Sequence, residues 1–272
     1  MSDGRLEARW RAVREDGRAA LIPYVTAGHP DRAATRALLG GAAAAGADLV
    51  ELGVPWSDPV ADGPVIQASS HHALAAGMTL RGVLELLAAA PRDTPVVLMS
   101  YLNPILRYGA RAFAADAASA GAAGLLVTDL AVGADPDTEA ALAAGGLPLV
   151  RLAAPTTPPA RLAAIAAAAR GFVYLVGRLG VTGAGDLAES LGARVADLRR
   201  VTDLPVAIGF GVDGAARARR VARLADGAVV GTAVVERMER GGVAAALELV
   251  RELRAALDDA RAAGRAAEPG AA

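Results

Sequence analysis

The sequence contains no cysteine and no lysine, so every one of its 28 basic residues is arginine. Without cysteine there can be no disulfide, thiolate metal site or cysteine nucleophile. Without lysine there can be no Schiff base on a lysine side chain, which removes one common route to carbon–carbon cleavage. Charge of either sign is not in excess. The net charge of −1 gives no electrostatic case for binding nucleic acid or an anionic membrane. No stretch reads as a membrane span, since alanine-rich runs such as Ala163–Ala169 are short and are interrupted by Arg170. The polar start, Met1 to Arg5, leads into a helical pattern and not into an apolar signal core, so a soluble cytoplasmic protein is expected. Its three histidines, His29, His71 and His72, have neither HxH nor HExxH spacing, and no serine sits in a GxSxG turn. A metal centre and a serine nucleophile are therefore not expected, and nothing in the sequence calls for a cofactor.

What is present is an alternation. Short apolar runs at Ala20–Thr26, Asp48–Val54, Pro95–Tyr101, Gly124–Thr128, Leu147–Leu152, Gly171–Val176, Pro205–Ile208 and Gly227–Val230 read as strands. Helical stretches separate them, for example Arg32–Ala45, Thr79–Ala90, Ala110–Ser119, Pro159–Ala169 and Gly214–Leu224. Leu6, Trp10 and Val13 recur at helical spacing and predict an extra helix before the first strand. Eight βα units in 272 residues predict a closed (β/α)8 TIM barrel spanning the chain as one domain, because that fold takes ~250 residues. No GxGxxG follows the first strand, which disfavours an open dinucleotide-binding sheet. The last helix is expected over Val243–Ala263, with a disordered tail from about residue 264.

In such a barrel the active site lies beyond the C-terminal ends of the strands. Glycine turns follow strands six, seven and eight: Gly180–Gly183, Gly209–Gly211 and Gly231–Ala233. Glycine lets backbone N–H groups approach an anion closely, so three such turns on adjacent strands point to a phosphate. Glu51 lies inside the apolar second strand, on one face with Leu49 and Gly53. A carboxylate there is costly unless paired or used, and desolvation raises its pKa toward values useful in proton transfer. Asp58 and Asp62 follow on the next loop, where Asp-Pro and Asp-Gly also serve as ordinary turn signals. For a phosphorylated polyol substrate, cleavage without lysine or metal leaves carboxylate acid/base catalysis.

The segments Leu21–Pro30 and Glu51–Gln67 resemble the two signature blocks of the tryptophan synthase α subunit. The likeness continues through Met99–Pro104, Ala154–Thr157, Gly180–Gly183, Gly209–Val212 and Gly231–Ala233, and so covers about Leu21 to Val235. It implies a lyase of tryptophan biosynthesis that splits indole-3-glycerol phosphate into indole and glyceraldehyde 3-phosphate. By the same resemblance Glu51 moves the protons, and Asp62 accepts the indole N–H. Tyr101, Ile66, Tyr174 and Thr182 contact the substrate, and Gly183, Gly211, Gly231 and Thr232 hold the phosphate. Arg178–Asp186 corresponds to a mobile loop over the site. A pyridoxal-phosphate-dependent β subunit is the implied partner, facing Pro55, Asp58 and Asn103. The sequence departs from the family pattern at Gly-Thr-Ala (231–233), at Leu179, and at Asp129–Gly133, which lacks a usual proline and acidic groups. The last departure predicts a weakened partner interface. A free-standing lyase, a weakly catalytic regulatory subunit and a phosphosugar isomerase are the competing readings.

Overall fold

The computed structural model describes residues 4–91, 93–177, 184–209 and 211–267, the side chains of 184–190 and 263–267 excepted. Eight parallel strands close on themselves in sequence order. They are β1 (Ala20–Thr26), β2 (Val50–Gly53), β3 (Val96–Ser100), β4 (Gly124–Val127), β5 (Leu149–Ala153), β6 (Val173–Val176), β7 (Val206–Gly209) and β8 (Gly227–Val230). All eight strands expected from the apolar runs are present, with ends differing by a few residues. The closure is β1 against β8, with Ala20 opposite Gly227 and Pro23 opposite Val230.

Outside the barrel lie α2 (Arg32–Ala42), α3 (Pro64–Ala75), α4 (Leu80–Ala88), α5 (Leu102–Tyr108), α6 (Ala110–Ala120), α7 (Pro136–Ala143), α8 (Pro159–Ala168), α9 (Ala184–Arg199), α10 (Ala215–Leu224) and α11 (Thr232–Ala267). Local chemistry starts several of them. Asp31 accepts from Ala34 N, Thr79 from Gly82 N and Asp135 from Thr138 N, each satisfying an orphan amide of a first turn. Helix α11 breaks at Gly242, whose backbone is non-helical at φ 70°. It then runs to Ala267, past the point near 264 where a disordered tail was expected. Gly264 is tolerated within a helix, and the first residue that opposes one is Pro269, which also restricts the residue before it.

Strand alternation sorts the core into two layers. Residues of one parity, among them Ile22, Leu49, Val97, Leu126, Val150, Phe172 and Val229, fill the barrel. Those of the other parity, such as Leu21, Val50, Leu98, Leu125 and Ile208, pack under the helices. The predicted first helix, α1 (Arg5–Glu15), closes the N-terminal mouth with Leu6, Trp10 and Val13, all buried among the barrel residues. Trp10 sits 5.3 Å from Phe172, ring to ring. Each of those three side chains contributes ~1.5–3 kcal/mol by burial. At the same end the buried Asp48 accepts from Leu21 N at 3.0 Å, Arg18 at 3.1 Å and Arg254 at 3.2 Å. The stitch ties β1, the approach to β2 and α11 together, leaving the opposite rim free to carry chemistry.

Candidate active site

Glu51 is the second residue of β2, opposite Tyr24 on one side and Val97 on the other. It shares its face with Leu49, which belongs to the barrel interior, as alternation requires. The residue is 2% exposed and its carboxylate has no hydrogen-bond partner among the described residues. Burial, and secondarily the charge of Asp62, push its pKa from an ordinary 4.5 up to about 8. Asp62 lies on the loop between β2 and α3. Its pKa is also raised by burial, while the hydrogen bond from Tyr101 opposes the rise. The repulsion falls on Glu51 because Asp62 ionises first, while Glu51 still holds its proton. With a pKa of about 8, Glu51 therefore keeps its proton at neutral pH, and the charge of Asp62 adds to that rise.

Several contacts hold Asp62. The Tyr101 hydroxyl donates to Asp62 Oδ2 at 3.0 Å and accepts from Ala61 N at 2.9 Å. Gln67 Nε2 donates to the carbonyls of Asp62 at 3.0 Å and Pro59 at 3.3 Å. These bonds tie the loop to the end of β3 and to α3. Ile66, in the first turn of α3, is placed by a chain of hydroxyls. Thr26 and Ser69 lie 2.6 Å apart, and Ser69 donates to Ile66 O at 2.8 Å.

Two tyrosines enter the rim from β1 and β6, and glycines make room for them. A Cβ on Gly53 would collide with the ring and hydroxyl of Tyr24, and one on Gly209 with the hydroxyl of Tyr174. Burial raises the pKa of Tyr174, with further contributions from Glu51 and Asp62. Tyr24 and Tyr101 are raised first by burial and next by Asp62. All three phenols stay protonated around the two carboxylates. Tyr24 was not singled out from the sequence; its parity with Ala20 and Ile22 was the available signal.

Beyond β7 and β8 the chain presents two helix starts. Gly211 adopts φ 73°, which favours glycine, and its carbonyl accepts from Arg217 at 2.8 Å. Gly231 follows β8, and its carbonyl accepts from Val234 and Val235 as α11 begins at Thr232. A Cβ on Gly231 would lie 3.3 Å from Ile66, so this turn adjoins the α3 side of the rim. Thr182 and Gly183, with the whole segment 178–183, lie outside the described residues, as does Phe210. Of the expected partner-facing residues, Asp58 and Asn103 are exposed, but Pro55 is buried. A cleft of about 540 Å³ opens elsewhere, on the helix side of β5 between α7 and α8. Arg151 and Glu139 are paired there, and the remaining carboxylate of its lining, Glu7, is exposed to solvent, unlike the buried Glu51 at the rim.

Comparison with known proteins agrees with this arrangement. Residues 10–263 match the family model described as tryptophan synthase alpha chain. The alpha chain of Bordetella bronchiseptica is 46% identical over 274 residues, covering 94% of this chain and 96% of its own. That of Phenylobacterium zucineum is 47% identical, covering 87% of each. Among solved structures, ligand-free tryptophan synthase from M. tuberculosis superposes with a TM-score of 0.85 at 37% identity, covering 93% of this chain and 98% of its own. The alpha subunit from Legionella pneumophila gives 0.86 at 32% identity, covering 94% and 98%. With the barrel, the signature blocks and these relatives in agreement, the chain belongs to the tryptophan synthase alpha chain family.

Proposed function

We propose that the protein is a lyase cleaving indole-3-glycerol phosphate to indole and glyceraldehyde 3-phosphate, with Glu51 as acid/base and Asp62 as the charge-stabilising group. One observation carries the reading: a buried carboxyl raised to about 8 beside a second carboxyl that ionises before it. Two carboxylates whose environments push them apart divide acid and base roles.

The chemistry follows from those protonation states. Indole leaves carbon poorly until its C3 is protonated. Glu51, protonated at pH 7, gives its proton to C3 and becomes a carboxylate. The ring becomes an indoleninium cation whose N–H faces the ionised Asp62, and that attraction strengthens as the charge develops. The Glu51 carboxylate then takes the proton of the hydroxyl on the adjacent glycerol carbon. As that O–H bond breaks, the C–O bond becomes a carbonyl, and the electrons of the carbon–carbon bond return to the indole ring. Indole and the aldehyde result, and Glu51 is protonated again. Tyr174 and Ile66 line the ring pocket in this reading, Tyr101 holds Asp62, and Thr182 closes over it. Gly183, Gly211, Gly231 and Thr232 take the phosphate, helped by the N-termini of α10 and α11.

A pyridoxal-phosphate-dependent β subunit fits as the partner, docking on the rim near Asp58 and Asn103. The missing proline of Asp129–Gly133 need not weaken that docking much. Arg151 donates to Leu130 O and Arg161 to Val132 O, and Glu139 accepts from Gly133 N at 2.6 Å, so other bonds restrain this loop. The deciding assay follows indole release from indole-3-glycerol phosphate by the wild type and Glu51→Gln. The variant should lose at least ~10²-fold in kcat while still binding glycerol phosphate. Comparable turnover in the two proteins would refute the assignment. Adding the β subunit should raise the wild-type rate; an unchanged rate, with no complex on sedimentation, favours a free-standing lyase.

A further inference from the structure

The loop after β4 reaches the catalytic loop by a route the sequence does not reveal. Asp129 Oδ1 accepts a hydrogen bond from Leu102 N at 2.6 Å. Leu102 opens α5, and Tyr101, the residue before it, has no side-chain bond capping that helix. Asp129 therefore supplies the cap from the turn after β4, satisfying an orphan amide and placing negative charge at the helix start. The peptide it holds is the one joining Leu102 to Tyr101. The Tyr101 hydroxyl in turn binds both Asp62 Oδ2 and Ala61 N. Asp129 is thus two links from Asp62: one backbone amide and one tyrosine.

The loop bearing Asp129 is itself anchored. Arg151 projects from β5 to the helix side, opposite the interior residues Val150 and Leu152, and is 6% exposed. It pairs with Glu139 of α7, and the second oxygen of Glu139 accepts from Gly133 N. Arg151 also reaches Leu130 O, at 3.5 Å. A buried pair contributes little net stability compared with apolar replacements, but it fixes geometry, and here the geometry fixed is the two ends of the loop.

We propose that Asp129, anchored through the Arg151–Glu139 pair, is a positioning residue that sets Tyr101 and hence the Asp62 carboxylate for the reaction. The inference rests on the reading of Asp62 as the charge-stabilising group. Its effect belongs to the transition state, because a displaced carboxylate loses most where the cation is fully formed.

The test compares Asp129→Ala, Asp129→Asn and the double variant Arg151→Met/Glu139→Leu, with Asp62→Asn as a control, in steady-state cleavage of indole-3-glycerol phosphate across pH. Asp129→Ala should lower kcat about five- to tenfold, as expected for one lost hydrogen bond to a charged group, and leave KM within about twofold. The acid limb of its kcat profile should move to higher pH, because a loosened Tyr101 no longer opposes the raised Asp62 pKa. Asp129→Asn keeps the acceptor without the charge and should recover most of the rate. The double variant, which leaves no buried charge, should shift kcat and the acid limb in the same direction. A loss in thermal stability alone, a loss in KM alone, or equal losses in Asp129→Ala and Asp129→Asn would overturn the proposal. A wild-type profile in the double variant would overturn the anchoring role. If Asp62→Asn loses turnover while Asp129→Ala does not, only this inference fails; if Asp62→Asn keeps full turnover, the reading beneath it fails.

Discussion

Replacing Glu51 with glutamine should make the protein more stable as it makes it inactive, and the gain should depend on pH. A carboxyl whose folded pKa lies above its unfolded value binds its proton more tightly in the folded chain. Folding is then favoured at low pH, and that advantage is lost as pH rises from the unfolded value through the folded one. For Glu51 the window runs from about 4.5 to about 8. At pH 7 the unfolded carboxyl is about 2.5 pH units past its midpoint while the folded one remains mostly protonated. Holding it so costs about 3 kcal/mol at 1.36 kcal/mol per pH unit. Glutamine fills the same space and carries no such term. Burying its amide has a cost too, but one that does not change with pH. The stability difference between variant and wild type should therefore grow in the variant's favour by roughly 3 kcal/mol between pH 5 and pH 8. In a chain of this size that corresponds to roughly 6–12 °C in melting temperature. Paired thermal or urea unfolding of the two proteins at half-unit pH steps measures it. A constant difference over that range would mean that Glu51 ionises normally when folded, and the division of roles between the two carboxyls would fall with it.

Asp62→Asn should reduce kcat far more than KM, and should move the alkaline limb of the remaining activity to lower pH, because the charge of Asp62 is one of the two causes raising Glu51; an unmoved alkaline limb would argue against the coupling. Gly209→Ala should cost about 1–3 kcal/mol in denaturant unfolding and most of the turnover, since the new methyl overlaps the Tyr174 hydroxyl and must displace that ring. Full activity in that variant would show that Tyr174 has no fixed role. Turnover should survive both a strong chelator and sodium borohydride with substrate present, as the sequence holds no lysine; active-site inactivation by either would require another mechanism.

The strands and the interior face of β2 were legible because they depend on local pattern. Alternation put Glu51 on one face with Leu49 and Gly53, and the structure shows that face to be the barrel interior, where Leu49 lies. The helix α1 was equally plain from three apolar residues at helical spacing. The last helix was harder to delimit, because alanine and arginine carry it without a clear stop before Pro269. Tyr101 was named, through family likeness, as a substrate contact; its bond to Asp62 was not foreseen, since the two are 39 residues apart and only the barrel brings them together. Asp129 was read as part of a degraded segment because a missing proline is visible in sequence. The arginines that restrain the loop come from β5 and α8, and their bonds go to backbone carbonyls that leave no pattern.

The plug formed by α1 has a consequence for traffic. Leu6, Trp10 and Phe172 fill the N-terminal mouth, so among the described residues the barrel is closed at that end. On the proposed reaction, indole and the aldehyde phosphate must leave over the same rim by which the substrate came in. Neither product can drain through the floor while the other waits. The order of departure is then set by whatever lies across that rim. A protein docked there would receive indole directly at its source, before dilution into bulk water.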